Sequence, residues 1–377
     1  MRAQNFIARR LRFKGRLAAV AVAVSFFVMI VSLAIASGFR TEIRSSLSEM
    51  SGDIQISAGE EPMPARPGCL PALEGTKGVS SVRPVIWKPG IVQGEGDLCG
   101  VLMKGVPMPD SCSLQVSIPS ALAKRLHISE GDLMTTWFVE DKLKARRFKV
   151  SGIYEGVTDS NEAMVVVAPM ADLQRVCGWS EDEASALEVK LEPRYAEVPA
   201  LWAKADELKL LTLDEDGTML FARTIRERYP QLFDWLDLID FNVSAILLLM
   251  IVVAGFNMIS GLLILLFRHI STIGMLKSFG MTNRGIAGVF LRVAARLVLI
   301  GMAAGNAAAL LFCVLQGSTH LIRLNPANYF VSFVPVHVDF GVILGIDALA
   351  FAAIMLLLLI PSLFISRIDP ATTVRVR

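Results

Sequence analysis

Residues 241–267 read FNVSAILLLMIVVAGFNMISGLLILLF, twenty-seven consecutive positions without a charge. Crossing about 30 Å of hydrocarbon takes roughly 20 residues of helix, so this run alone predicts a membrane span. Working outward, residues 17–39 are uncharged for 23 positions, and residues 297–319 are uncharged for 23 after the basic pair Arg292/Arg296. Residues 341–366 carry one charge, Asp347, near their beginning. The 377-residue chain is 53% hydrophobic and 19% charged, against the roughly one quarter charged that is usual in soluble domains. That composition excludes disorder. With a net charge of only +2 and no basic stripe interleaved with aromatics, it also argues against nucleic acid as a partner.

Lys/Arg asymmetry sets the expected orientation. Arg2, Arg9, Arg10, Arg12, Lys14 and Arg16 precede the first span without an acid. Arg268, Lys277, Arg284 and Arg292 lie between the second and third, and Arg367, Arg375 and Arg377 follow the fourth. These segments belong in the cytoplasm, with both termini. The expected layout is therefore a cytoplasmic segment 1–16, a span 17–39, an outer domain 40–240 and a span 241–267. A cytoplasmic connection 268–296, a span 297–319, a short outer loop 320–340, a span 341–366 and a tail 367–377 complete it. Residues 41–240 hold 21 Lys/Arg against 32 Asp/Glu, a net of −11, and the remainder is +13. The small total hides an acidic outer domain on a basic-footed membrane frame. Ala34-Ile35-Ala36 after a basic start also resembles a signal-peptidase site, which would leave three spans. The apolar run is longer than the 7–15 residues of a secretory core, which favours a retained span.

The outer domain reads as mixed α/β. Strands are expected at 53–57, 79–92 (broken by Pro84 and Pro89), 134–139, 147–154, 164–167 and 185–191, and helices at 120–127, 170–176 and 197–208. Residues 37–50 continue the first span with helical spacing, and residues 219–238 lead helically into the second, so two helical stalks are expected. Cys69, Cys99, Cys112 and Cys177 fall in this domain, where an oxidising compartment permits disulfides; four cysteines allow three pairings.

Chemistry is sparse. No G-x-x-x-x-G-K-[ST] loop is present to cradle a nucleotide, and no G-x-S-x-G elbow. His127, His269, His320 and His337 fall on different segments and do not compose a zinc site; no metal or cofactor is expected on this chain. Asp347 is a single carboxylate where an intramembrane aspartyl protease needs two, and Asn257 and Asn306 read as glue between helices. The small residues Gly301, Ala303, Ala304, Gly305, Ala307 and Ala308 predict a closely packed face on the third span. In the 268–284 connection, Ile273, Leu276 and Gly280 fall within roughly 60° of one another at helical spacing. A narrow apolar face with a basic flank suits either a groove on another protein or the lipid surface.

Thr272-Ile-Gly-Met-Leu-Lys-Ser-Phe-Gly-Met-Thr282 resembles the coupling segment of the four-span ABC transporter permeases of the MacB/FtsX superfamily, with Thr272 standing where the family has an acid. Gly255-Phe-Asn-Met258, the run 324–336 and Ile368-Asp-Pro-Ala371 resemble the lipoprotein-releasing branch (LolC/LolE type). The resemblance implies a non-catalytic permease of the bacterial inner membrane that extracts lipoproteins toward a periplasmic carrier. It implies a cytoplasmic ATPase dimer that binds ATP and Mg, a second permease subunit, and lipoprotein and membrane lipids as contacts. Ile273, Gly274, Leu276, Lys277 and Gly280 would meet the ATPase, and Phe256 and Asn257 would line a substrate cavity or helix interface. In the family a proline-bearing loop docks the carrier; the corresponding residues 138–148 are short and lack proline. The alternatives are an FtsX-like mechanical signal to a cell-wall hydrolase and a MacB-like efflux permease.

Overall fold

The computed structural model describes residues 16–59, 61–94, 97–139, 143–154, 164–195, 198–212, 220–325 and 329–362. The basic cluster before Arg16, residues 140–142 within the 138–148 run and the tail motif at 368–371 lie outside these residues. The chain divides into two units, one of residues 41–234 with 323–333 and one of residues 1–40, 235–322 and 334–377.

Helix α1 (Arg16–Ser51) ends where Gly52 takes a left-handed φ of +69°, the conformation glycine adopts at little cost after a helix. The α/β unit follows. Its elements are β1 (Ile54–Ser57), β2 (Met63–Pro64), α2 (Leu70–Gly75), β3 (Val79–Gln93), β4 (Leu98–Val106) and β5 (Gln115–Pro119). Next come α3 (Ser120–Leu126), β6 (Leu133–Val139), β7 (Leu143–Tyr154), β8 (Met164–Pro169) and α4 (Met170–Cys177). The unit ends with β9 (Glu183–Ala184), β10 (Ala186–Leu191), α5 (Val198–Leu211), β11 (Phe221–Thr224) and α6 (Ile225–Arg228). Pro119 and Pro169 each close a strand in extended geometry and open the helix behind it, and His127 and Gly178 stop those helices in the left-handed region.

Nine strands form one sheet in the order β11-β1-β10-β3-β4-β8-β5-β7-β6. The first half of β3 pairs with β10, and its second half pairs with β4. Ile91, Val92 and Gln93 also face Trp137, Thr136 and Thr135 of β6. The second half of β3 therefore closes β4, β8, β5, β7 and β6 into a six-stranded barrel, while β10, β1 and β11 extend from its other half. Closure removes two free edges. The barrel is filled by Val92, Met103, Ile118, Met134, Phe138, Phe148, Val150 and Val166, with Phe138 and Phe148 edge to face at 6.5 Å.

The expected helical stalk at 219–238 is corrected here. Residues 221–224 pair with β1 as a strand, and α6 starts on a capping box in which Glu227 N–H donates to Thr224 Oγ1 and Thr224 N–H donates to Glu227 Oε2. A break at Tyr229 follows, and α7 (Pro230–Arg268) starts on a proline. The break at 79–92 is also absent, since β3 runs through Pro84 and Pro89.

The second unit gathers helices α1 and α7 with α8 (Ile270–Ser278), α9 (Asn283–Thr319), α10 (Phe340–Leu357) and α11 (Leu359–Ser362). Among the described residues four helices, Arg16–Ser51, Pro230–Arg268, Asn283–Thr319 and Phe340–Ser362, are long and apolar enough to cross a membrane. Side-chain caps fix two of their starts: Thr282 accepts from Gly285 N–H, and Asp339 accepts from Gly341 and Val342 N–H. Their shared core includes Phe26 and Met29 of α1, Met258 and Leu262 of α7, Phe290 and Val298 of α9, and Ala350 and Ile354 of α10. Gly301 and Gly305 of α9 lie against the backbone of α1. Arg40 pairs with Asp240, and the Phe39 ring meets Trp235 edge to face at 5.8 Å.

Candidate functional site

Helix α8 is a single short helix between the second and third long ones. His269 precedes it in a non-helical conformation, and Gly280, at φ +79°, ends the turn that follows. Gly280 N–H donates to Lys277 O and Met281 N–H to Leu276 O, so the chain doubles back before α9 is capped by Thr282. The face read from periodicity points inward. Ile273 is fully buried, Gly274 is buried, and Leu276 packs against the same core. Gly280 lies beyond the helix and Lys277 is half-buried. What α8 and its exit turn present outward is an apolar pair one turn apart, Met275 at 55% and Phe279 at 80% exposed. Ser271, Ser278 and Arg284 lie exposed around it. A period of 3.6 says which residues share a face, not which face the neighbouring helices cover.

Phe256 is 64% exposed and Asn257 is exposed beside it, within the uncharged run of α7. An amide turned away from its own helices at that depth is costly in lipid. Asn306 of α9 instead donates to Asp347 of α10, which places the one charge of the fourth span in a helix–helix contact.

The α/β unit holds a polar cluster that no local pattern announced. Lys104, from the middle of β4, donates to Glu188 Oε2 of β10 at 2.6 Å, with both side chains over nine-tenths buried. It also donates to the carbonyl of Met50 in the last turn of α1. Arg228 donates to the carbonyl of Ser51 at 3.5 Å, and both cations lie over the Trp87 ring, at 5.3 and 5.1 Å. Burial pulls Lys104 and Arg228 below their ordinary values and pushes Glu188 up, with the facing charges opposing part of each effect in the Lys104–Glu188 pair. A cavity of about 680 Å³ adjoins the cluster, lined by Ser46, Glu49 and Met50 of α1 and by Val85, Lys104 and Glu188 among others.

The four cysteines for which disulfides were open are not joined in this structure. Cys69, Cys99, Cys112 and Cys177 are all thiols, and Cys99 packs against the sulfur of Met164 at 3.8 Å inside the barrel. Among the described residues no group of three or more His, Cys, Asp or Glu is placed to hold a metal. His127 and His320 cap helix ends, His269 precedes α8, and His337 N–H donates to Ala34 O.

An α/β unit thus follows the first of four helices long and apolar enough to cross a membrane. Residues 244–370 match the FtsX-like permease C-terminal family. The chain is 24% identical to the lipoprotein-releasing system transmembrane protein LolC of Xylella fastidiosa (strain Temecula1), over 94% of this chain and 92% of that protein. It is 22% identical to LolE of Haemophilus influenzae, over 95% and 93%. The extracellular domain of the ABC-type transporter YknZ from Gram-positive bacteria is a distant structural neighbour, with a TM-score of 0.32, 13% identity, and coverage of 45% of this chain and 99% of that one.

Proposed function

We propose that the chain is a transmembrane permease subunit of an ATP-driven complex that extracts lipoproteins from the bacterial inner membrane toward a periplasmic carrier. The observation that carries this reading is similarity to LolC and LolE along 94–95% of the chain, outer domain and helices alike. The positive-inside pattern puts α8 in the cytoplasm and the acidic α/β unit outside. A cytoplasmic ATPase dimer holds ATP and Mg, and this chain performs no hydrolysis of its own. Met275 and Phe279 are the side chains that meet the motor, an i, i+4 apolar pair of the kind that fits a groove. Ile273, Gly274 and Leu276 support that pair from below, and Gly280 shapes the turn.

A second permease subunit, identical or related, covers the exposed face of α7 around Phe256 and Asn257 and removes the amide from lipid. Acyl chains held between the two subunits gain about 0.8 kcal/mol per buried CH₂, and the same quantity opposes their removal from the bilayer. That opposition is why extraction needs ATP. The test is a photo-cross-linking amino acid at position 275 or 279 in native membranes. It should capture an ABC ATPase, whereas position 273 should give products within the chain. Capture of no ATPase from either position, in cells where the complex assembles, contradicts the reading.

A further inference from the structure

We propose that Lys104 is a positioning residue which, with Glu188 and Arg228, ties the carbonyl end of α1 to the sheet, so that displacement of that long helix is passed into the α/β unit. The inference deepens the permease reading and rests on it. The last carbonyls of a helix have no partner within it, and positive charge at that end complements the helix dipole. Here Met50 O accepts from Lys104 and Ser51 O from Arg228. These two cations come from β4, a barrel strand, and from α6, which follows the edge strand β11, and Glu188 of β10 pairs with the ammonium. The chain directly after the helix is bonded to β10 and to the start of α6. Asp53 N–H donates to Val189 O, and Asp53 O and Oδ2 accept from Ile225 and Leu191 N–H.

Stability alone does not account for a buried ammonium at this place, because an apolar residue of similar volume is commonly as good or better. A charged link differs in being directional. The cavity strengthens the point. It opens against Ser46, Glu49 and Met50 and is lined also by Lys104 and Glu188, so the polar link stands on the cavity side of the last turns of α1. A pull on α1 reaches β10 along the chain and its Asp53 hydrogen bonds, and it reaches β4 through Lys104. The cations at 5.3 and 5.1 Å from the Trp87 ring make that indole a reporter of the link.

The experiment uses the full complex in proteoliposomes with a triacylated reporter lipoprotein. It reads ATP hydrolysis and lipoprotein released per ATP. K104M should assemble and hydrolyse ATP at the wild-type rate while releasing at least about tenfold less per ATP, within the size of ordinary coupling interactions. K104R keeps the charge and reach and should restore most of the loss. The exchange K104E/E188K should not, because it turns an acid toward the Met50 carbonyl. Unchanged release per ATP in K104M, or full recovery in the exchange, overturns the proposal. If K104M does not assemble, R228Q decides: it removes the link to Ser51 and the second cation over Trp87 while leaving the Lys104–Glu188 pair, and release per ATP equal to wild type counts against the proposal. Absence of ATP-dependent release by the wild type would instead strike the permease reading itself.

Discussion

Gly305 lies so close to Ala23 that a Cβ on the glycine would stand 2.4 Å from the Ala23 carbonyl oxygen. One turn earlier, a Cβ on Gly301 would stand 2.9 Å from Ala19 O. Close backbone approach through small residues is the means by which helices associate in lipid, where no hydrophobic force draws them together.

Backbone cannot give way as a flexible side chain can, so G305A forces α1 and α9 apart. The expected cost is about 1–3 kcal/mol, the range for overpacked sites. Thermal unfolding of the full-length subunit in detergent measures it. G345A is the control, because no atom lies within 4 Å of a Cβ built there; it should be neutral or slightly stabilising.

E188Q leaves the Lys104 ammonium buried without its counter-charge, and removing one partner of a buried pair costs about 3–5 kcal/mol. The sign of the pH dependence follows. Burial holds Lys104 below its ordinary 10.5, and without the carboxylate the charge that opposes this is gone. The folded state then binds fewer protons than the unfolded one, so E188Q should gain stability as pH rises toward 10.5. The melting temperature of E188Q, measured from about pH 7 to 10, should climb relative to K104M/E188Q, which lacks the titrating group.

D347N keeps an amide-to-side-chain bond with Asn306, whereas D347L leaves Asn306 without its acceptor on α10. D347N is expected to match wild type in thermal stability. D347L is expected to lose about 0.6–2 kcal/mol, the range for interhelical hydrogen bonds in membranes.

The two faces of α8 should separate in a pair of variants. I273A opens a cavity in the helix core and is expected to lose about 2–5 kcal/mol of stability. M275A/F279A touches an exposed pair and should leave the melting temperature unchanged while reducing ATPase co-purification several-fold. A stable I273A with weakened ATPase binding, beside a fully competent M275A/F279A, would reverse the assignment of faces.

The spans were legible because lipid enforces composition over twenty residues or more, and the resemblance in the 272–282 segment was legible because it is local. The strands expected at 53–57, 134–139 and 185–191 were equally open to reading and fall on β1, β6 and β10. Leu98–Val106 was not: Gly100, Gly105 and Lys104 interrupt its alternation, and what makes it a central strand is pairing with β3 and β8. Lys104 lies 84 positions from Glu188, so nothing local distinguishes it from a surface lysine. The stalk at 219–238 was a misreading with a visible remedy. Thr224-x-x-Glu227 followed by Pro230 marks two helix starts, and both features stand in the sequence. Pro84 and Pro89 suggested a break, yet the proline φ suits extended backbone, and β3 loses only the donors.

The most direct test of the account is transfer of a fluorescent triacylated lipoprotein out of proteoliposomes that contain this subunit, its ATPase and its partner permease, with a soluble lipid-binding carrier outside. The account predicts transfer that requires ATP, stops with a hydrolysis-deficient ATPase and falls in M275A/F279A. Steady ATP hydrolysis by the intact complex with the lipoprotein remaining in the bilayer would contradict it.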